Sequence, residues 1–156
     1  MQYKLPDYIK RQCLAIAQGY EENRRYYLSE RQMILNSSSS GHTNYIDSGG
    51  VECRQYNSHV SGRISNEPHD KTIQLEQLEK HIKVKQYKAV DDAKFQIGIG
   101  FPEHLRQKLT KAIMINCSQP RRYPYGRLDV GDMERSTFYN HRSIFLYNIA
   151  ISLQFV

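Results

Sequence analysis

Apolar positions recur along this chain at helical spacing. Ile9, Cys13, Ile16, Tyr20, Tyr27 and Ile34 follow one another at intervals of three, four and seven, a heptad-like seam. The spacing predicts a long helix over 6–36. Pro6 suits a first turn and Asp7 suits the positive end of a helix. Asn23 and Glu30 interrupt the seam, and Gly19 costs about 1 kcal/mol relative to Ala inside a helix. Glu21, Glu22, Arg24, Arg25 and Arg31 belong to the outer side; a charge run of this kind is ordinarily a solvated face.

The pattern lapses over 37–69. That stretch is rich in Ser, Gly and Asn and has no sustained period of either kind, so it reads as a flexible linker loop or else a functional loop. Helical spacing returns at 70–94, with Asp70 or Thr72 as the cap and Leu75, Leu78, Ile82 and Ala89 as the apolar stripe. Lys80, Lys83, Lys85 and Lys88 fall on other faces, where a solubilising surface is the simplest role and phosphate contact the alternative. Gly98 and Gly100 end that helix. Their GxG spacing follows no strand, so it carries little sign of a phosphate loop. Pro102 opens a further helix to about Asn116, with Leu105, Leu109, Ala112 and Ile113 facing inward. Residues 118–135 are turn-rich, and Arg121, Arg122, Arg127 and Arg135 cluster there around Tyr123 and Tyr125. Arginines interleaved with aromatics suit phosphate and base contacts; they equally suit a collar that ties a loop to carbonyls.

The final helical stretch is the most informative. Ser136 occupies an N-cap position, and Phe138, Phe145 and Ile149 then share a face. Thr137, Tyr139, Asn140, Arg142 and Ser143 fill the first half with hydrogen-bonding groups, whereas Ile144 to Leu153 is apolar nearly all round. Such a helix is held by its second half and offers its first to something polar. A recognition helix has this organisation; so has a buried C-terminal helix with a wet first turn.

The expected fold is therefore all-α. A long N-terminal helix (1–36) and a middle helix (70–100), joined by the 37–69 linker, form an antiparallel pair along Ile9, Ile16, Tyr20, Tyr27 and Leu75, Leu78, Ile82, or pair between chains as a homodimer. A C-terminal helical unit follows (101–156).

Composition narrows the partner. The 156 residues hold 22 Lys+Arg against 16 Asp+Glu, a net charge of +6, which favours a polyanion such as nucleic acid. Cys13, Cys53 and Cys117 are odd in number and widely separated, so they suggest neither a zinc site nor a disulfide framework; free thiols in a cytoplasm are expected. No metal or cofactor motif involves His42, His59 or His69. Nothing resembles a signal peptide or a membrane span. No nucleophile–base spacing, HExxH or P-loop appears, and the acidic pairs Asp91–Asp92 and Asp129/Asp132 read as helix-end and turn residues. An enzyme is not expected.

Four stretches in order, residues 61–80, 101–113, RYPY at 122–125 and RSTFYNHRSIFLYNIA at 135–150, resemble the small RinA-type transcriptional regulators of phages and prophages of Gram-positive bacteria. The resemblance covers nearly the whole chain, and ST-F-Y-x-x-R before an aromatic-aliphatic stretch is its most specific part. It implies regulation of late phage genes in the bacterial host cytoplasm. It also implies a C-terminal helix-turn-helix similar to sigma region 4, with residues 136–150 as recognition helix. Ser136, Thr137, Tyr139, Asn140, Arg142 and Ser143 would then meet double-stranded DNA, with Arg121, Arg122, Arg127 and Arg135 on its backbone. The scaffold helix of such a motif would fall on 125–134, which is short, polar and carries two glycines. The alternative is an adaptor that engages host RNA polymerase without binding DNA itself.

Overall fold

The computed structural model describes residues 3–37 and 67–156 and, of the connection between them, the strands His42–Ile46 and Glu52–Tyr56 with Gly49. The chain is all-α: α1 Asp7–Gln18, α2 Tyr20–Asn36, α3 Glu67–Glu79, α4 Ile82–Phe95, α5 Glu103–Ser118 and α6 Arg135–Ser152. It divides into two compact units. The larger comprises Met1–Tyr27 and His81–Val156, the smaller Leu28–Lys80.

Both helices expected to be long are broken. The first breaks at Gly19, where the backbone takes φ −83° and ψ 2° and the Gly19 amide is shared between the carbonyls of Ala15 and Ile16. Glycine is the weakest helix former after proline and a usual place for a kink. Within α1 the fully buried positions are Ile9, Cys13 and Ala17, at i, i+4 and i+8, and the expected Ile16 packs against the core while only partly covered. The middle helix breaks at Lys80 and His81. His81 caps α4, its Nδ1 accepting from the Lys83 amide at 3.2 Å. Neither Asp70 nor Thr72 is a cap: α3 starts at Glu67, and the Thr72 hydroxyl donates to the Pro68 carbonyl at 2.8 Å. The break also removes Ile82 from the expected stripe, leaving it 59% exposed.

The larger unit is built around α1, which packs on α4, α5 and α6, while α6 packs on α4 and more lightly on α5. Its core combines Ile9, Cys13 and Ala17 with Val90 and Ala93 of α4, Leu109, Ala112, Ile113 and Cys117 of α5, and Phe138, Phe145, Leu146, Ile149 and Ala150 of α6. The start of α2 runs antiparallel to α4, but polar and aromatic groups join them in place of the expected aliphatic seam. The Tyr20 hydroxyl donates to Asp91 at 2.8 Å, Asn23 donates to Gln86 at 3.4 Å, and the Tyr27 and Tyr87 rings stack at 5.5 Å.

The α4–α5 corner is fixed by Arg106. Its Nε donates to the Ile97 carbonyl at 3.1 Å and an Nη donates to the Phe95 carbonyl, satisfying acceptors that a helix end leaves open. Gly98 turns this corner at φ +65°, and a Cβ there would meet the Arg106 side chain at 3.3 Å. The positive φ favours glycine here, and a side chain would also crowd Arg106.

In the smaller unit, Lys71 at the start of α3 donates to the Leu35 carbonyl near the end of α2 at 3.1 Å. Within 37–69, the stretch expected to be a flexible linker loop, two short strands are described. His42–Ile46 and Glu52–Tyr56 form an antiparallel pair, in register from His42 opposite Tyr56 to Ile46 opposite Glu52. Thr, Tyr and Ile favour strands, and segments of five residues are too short to announce a period. His59 lies outside the described residues.

Candidate nucleic-acid interface

The connection from α5 to α6 spans residues 119–134. This is not the three- or four-residue turn of a helix-turn-helix. Its regular part is a 3-10 turn at Tyr125–Arg127, with no scaffold helix at 125–134. The connection is nevertheless well anchored. Asn116, 2% exposed on α5, donates its amide to the Tyr123 carbonyl at 2.9 Å. The Tyr125 hydroxyl donates to the Met133 carbonyl, and its ring lies 5.6 Å from that of Phe138. Val130 is buried in the core, and Gly131 closes the turn before α6 at φ +62°.

This anchoring sets out the cations. Arg121, Arg122, Arg127 and Arg135 are all exposed. The Arg122 guanidinium lies 5.5 Å from the Tyr123 ring centre, and Arg127 Nη1 donates to the Arg122 carbonyl at 3.2 Å. Arg135 opens α6 and lies 5.6 Å from the Tyr139 ring. Guanidinium–aromatic stacking leaves the donor edge of an arginine available for phosphate.

Ser136 is not the N-cap. Glu134 holds that position, with φ −66° and ψ 146° and no capping bond from its own side chain to the helix, and Ser136 donates to Glu134 Oε2 at 3.3 Å. The first turn of α6 contains no acidic residue, so the helix start and Arg135 attract negative charge, which the Glu134 carboxylate at the N-cap partly offsets. Asn140 is exposed, and Thr137 and Tyr139 are half-buried. The Tyr139 ring meets Phe138 edge-on at 5.3 Å.

Two expected contact residues turn toward the protein. The Ser143 hydroxyl donates to the Tyr139 carbonyl at 2.8 Å, which takes up its proton within the helix. Arg142 has its Nε buried without a hydrogen-bond partner, and its guanidinium stands against the Cys117 thiol. Burial raises that thiol's pKa, and the Arg142 charge opposes the rise. On a helical wheel Arg142 falls beside Phe138 and Phe145, which explains why it is drawn inward. His141, between the two, lies edge-on to Phe101 at 5.2 Å, and its pKa is lowered by burial.

Arg121, Arg122 and Arg127 thus stand exposed on the loop and Arg135, Ser136 and Asn140 at the start of α6, with Tyr139 half-buried there, while Arg142 and Ser143 are set apart. Three further residues matter that periodicity did not single out. Tyr125 joins the loop to α6. Lys108 and Lys111 of α5 share an outer face with His104, a stripe legible as i, i+4, i+7. A separate groove of about 790 Å³ includes Tyr20, Asp91, Lys94 and Arg106. Its Tyr20 hydroxyl is held by burial and by Asp91 well above the usual tyrosine range, which does not suit a nucleophile.

Among the described residues no three His, Cys, Asp or Glu side chains converge as metal ligands would, and no helix is long and apolar enough to cross a membrane. Cys13 and Cys117 are free and buried. No family model, curated protein or solved structure matches the chain.

Proposed function

We infer that the protein is a non-enzymatic DNA-binding regulator of transcription. It acts on phage or prophage late genes in the cytoplasm of a bacterial host, as its likeness to RinA-type regulators implies. The observation that carries this is the display of Arg121, Arg122, Arg127 and Arg135 on an anchored loop beside the polar start of α6. The arginines hold phosphates, and Asn140 reads a base edge with Tyr139 beside it. Arg142 is left out of the reading set because its Nε is buried. Two copies acting as a homodimer would present two such surfaces to one duplex.

The deciding experiment is a binding titration of the purified protein. The duplexes are intergenic DNA from its own genome and a random sequence, compared across a range of salt. Binding to both at low salt, tighter for the intergenic duplex and falling steeply with salt, is expected of phosphate contacts. No binding to either duplex at about 50 mM salt, where phosphate contacts are strongest, overturns it.

A second reading, an adaptor that engages host RNA polymerase, is favoured by one observation: α6 packs along α1 and α4 and lacks the short turn that presents a recognition helix. It predicts polymerase capture by a protein that ignores DNA at every ionic strength.

A further inference from the structure

The loop that carries the arginines also walls a second basic feature. Between it and the outer face of α5 lies an open cleft of about 550 Å³. Its α5 side presents His104, Lys108 and Lys111, and its loop side presents Tyr123, Arg127 and Asp129. Lys108, Lys111 and Arg127 face a single carboxylate, that of Asp129, so the cleft is net positive.

We propose that this cleft takes the phosphodiester backbone of duplex DNA, as a contact surface separate from the start of α6. The assignment rests on the DNA-binding reading above and deepens it by naming a second strand contact. Three features of the cleft carry it. First, Lys108 and Lys111 stand about 4.5 Å apart along the helix axis. Phosphates of one strand follow each other every ~3.4 Å along a duplex axis, so two flexible lysines reach neighbouring phosphates.

Second, the cations are available. Lys111 is exposed. Lys108 meets Asp129 at 3.6 Å, but the two side chains are 50% and 82% exposed. An ion pair that open contributes only about 0–1 kcal/mol, too little to hold Lys108 from a phosphate. Third, the loop makes the cleft continuous with the arginine surface. Arg127 lines the cleft and donates to the Arg122 carbonyl, while Tyr125, two residues earlier, packs on Phe138 of α6. One rigid loop therefore sets the spacing between the cleft and the helix start.

Asp129 has a particular consequence. It is the negative group in the cleft, so it opposes an entering phosphate and weakens binding while it remains charged. The test uses the full-length protein and a labelled random-sequence duplex, titrated by fluorescence anisotropy from about 50 to 300 mM salt. Lys108→Gln with Lys111→Gln removes two phosphate contacts. It is expected to weaken binding by about tenfold or more at ~0.1 M salt and to flatten the log–log salt slope by about two. Asp129→Asn is expected to tighten binding by about two- to fivefold, a gain that misfolding cannot produce. If the double lysine variant and Asp129→Asn both bind as wild type while Arg122→Ala binds more weakly, the cleft is overturned and DNA binding through the loop stands. If the wild-type protein binds no duplex at about 50 mM salt, both are overturned together.

Discussion

The two halves of α6 share one backbone and meet different surroundings. Residues 144–152 bury Phe145, Leu146, Ile149 and Ala150 against α1 and α4, and each of the three large side chains contributes about 1.5–3 kcal/mol by leaving water. Residues 135–143 bury only Phe138. Around it they leave Arg135, Ser136 and Asn140 exposed and Tyr139 half-covered. The difference shows how a core helix can still display polar groups: one half secures the position, and a single aromatic seats the other. The helix is fixed in place whether or not its first turns touch a ligand.

Substitutions can break this division, and the largest effects should come from the anchors. Phe138→Ala is expected to cost about 3–5 kcal/mol and Leu146→Ala about 2–5 kcal/mol in urea unfolding, because each empties a fully buried site. A loss under about 1 kcal/mol for Phe138→Ala would mean that the first half of α6 is not seated in the core.

Arg142 tests which side of the division it belongs to. A methionine there keeps the aliphatic stem and removes a buried donor that has no partner. It should raise stability by roughly 1 kcal/mol and leave DNA affinity unchanged. Lost affinity in a folded Arg142→Met protein would return Arg142 to the contact surface.

Asn140→Ala should do the reverse. It should change stability by no more than about 0.5 kcal/mol and weaken binding to the intergenic duplex by roughly 1–3 kcal/mol, leaving random sequence unaffected. Equal losses on both duplexes would make Asn140 a backbone contact.

The remaining effects are those of pH. Burial lowers the pKa of His141 below 6.5, so the unfolded state binds the proton more readily and stability should decline as pH falls below about 6.5. Burial raises Cys13 from 9.0 to about 11. The unfolded thiol ionises first, so stability should also decline as pH rises from about 9 toward 11. Urea unfolding of His141→Gln and Cys13→Ala beside wild type checks each limb: the matching decline should become shallower.

Much of this core was legible along the chain. Phe138, Phe145 and Ile149 in α6, and Leu109, Ala112 and Ile113 in α5, recur at helical spacing and are buried as that spacing implies. Legibility ended where helices break. The stop at Lys80 and His81 leaves Ile82 in solvent, because a periodic pattern holds its phase only while the helix continues. The grouping of the arginines was visible, but not what holds them, since Tyr125 meets Phe138 across thirteen residues through a turn of no fixed period.

The amino-acid order by itself determined the all-α class, the inward faces of α5 and α6, the turn-rich basic segment between them, and the polar and apolar halves of α6. These follow from spacing and local propensity, which act over a few residues. Only the tertiary structure decided that the α5–α6 connection is an anchored loop rather than a tight turn, that Arg142 faces Cys117, and that Lys108, Lys111 and Arg127 line one cleft. Each of these depends on groups distant in sequence meeting in space, and packing brings them together in ways that no local period records.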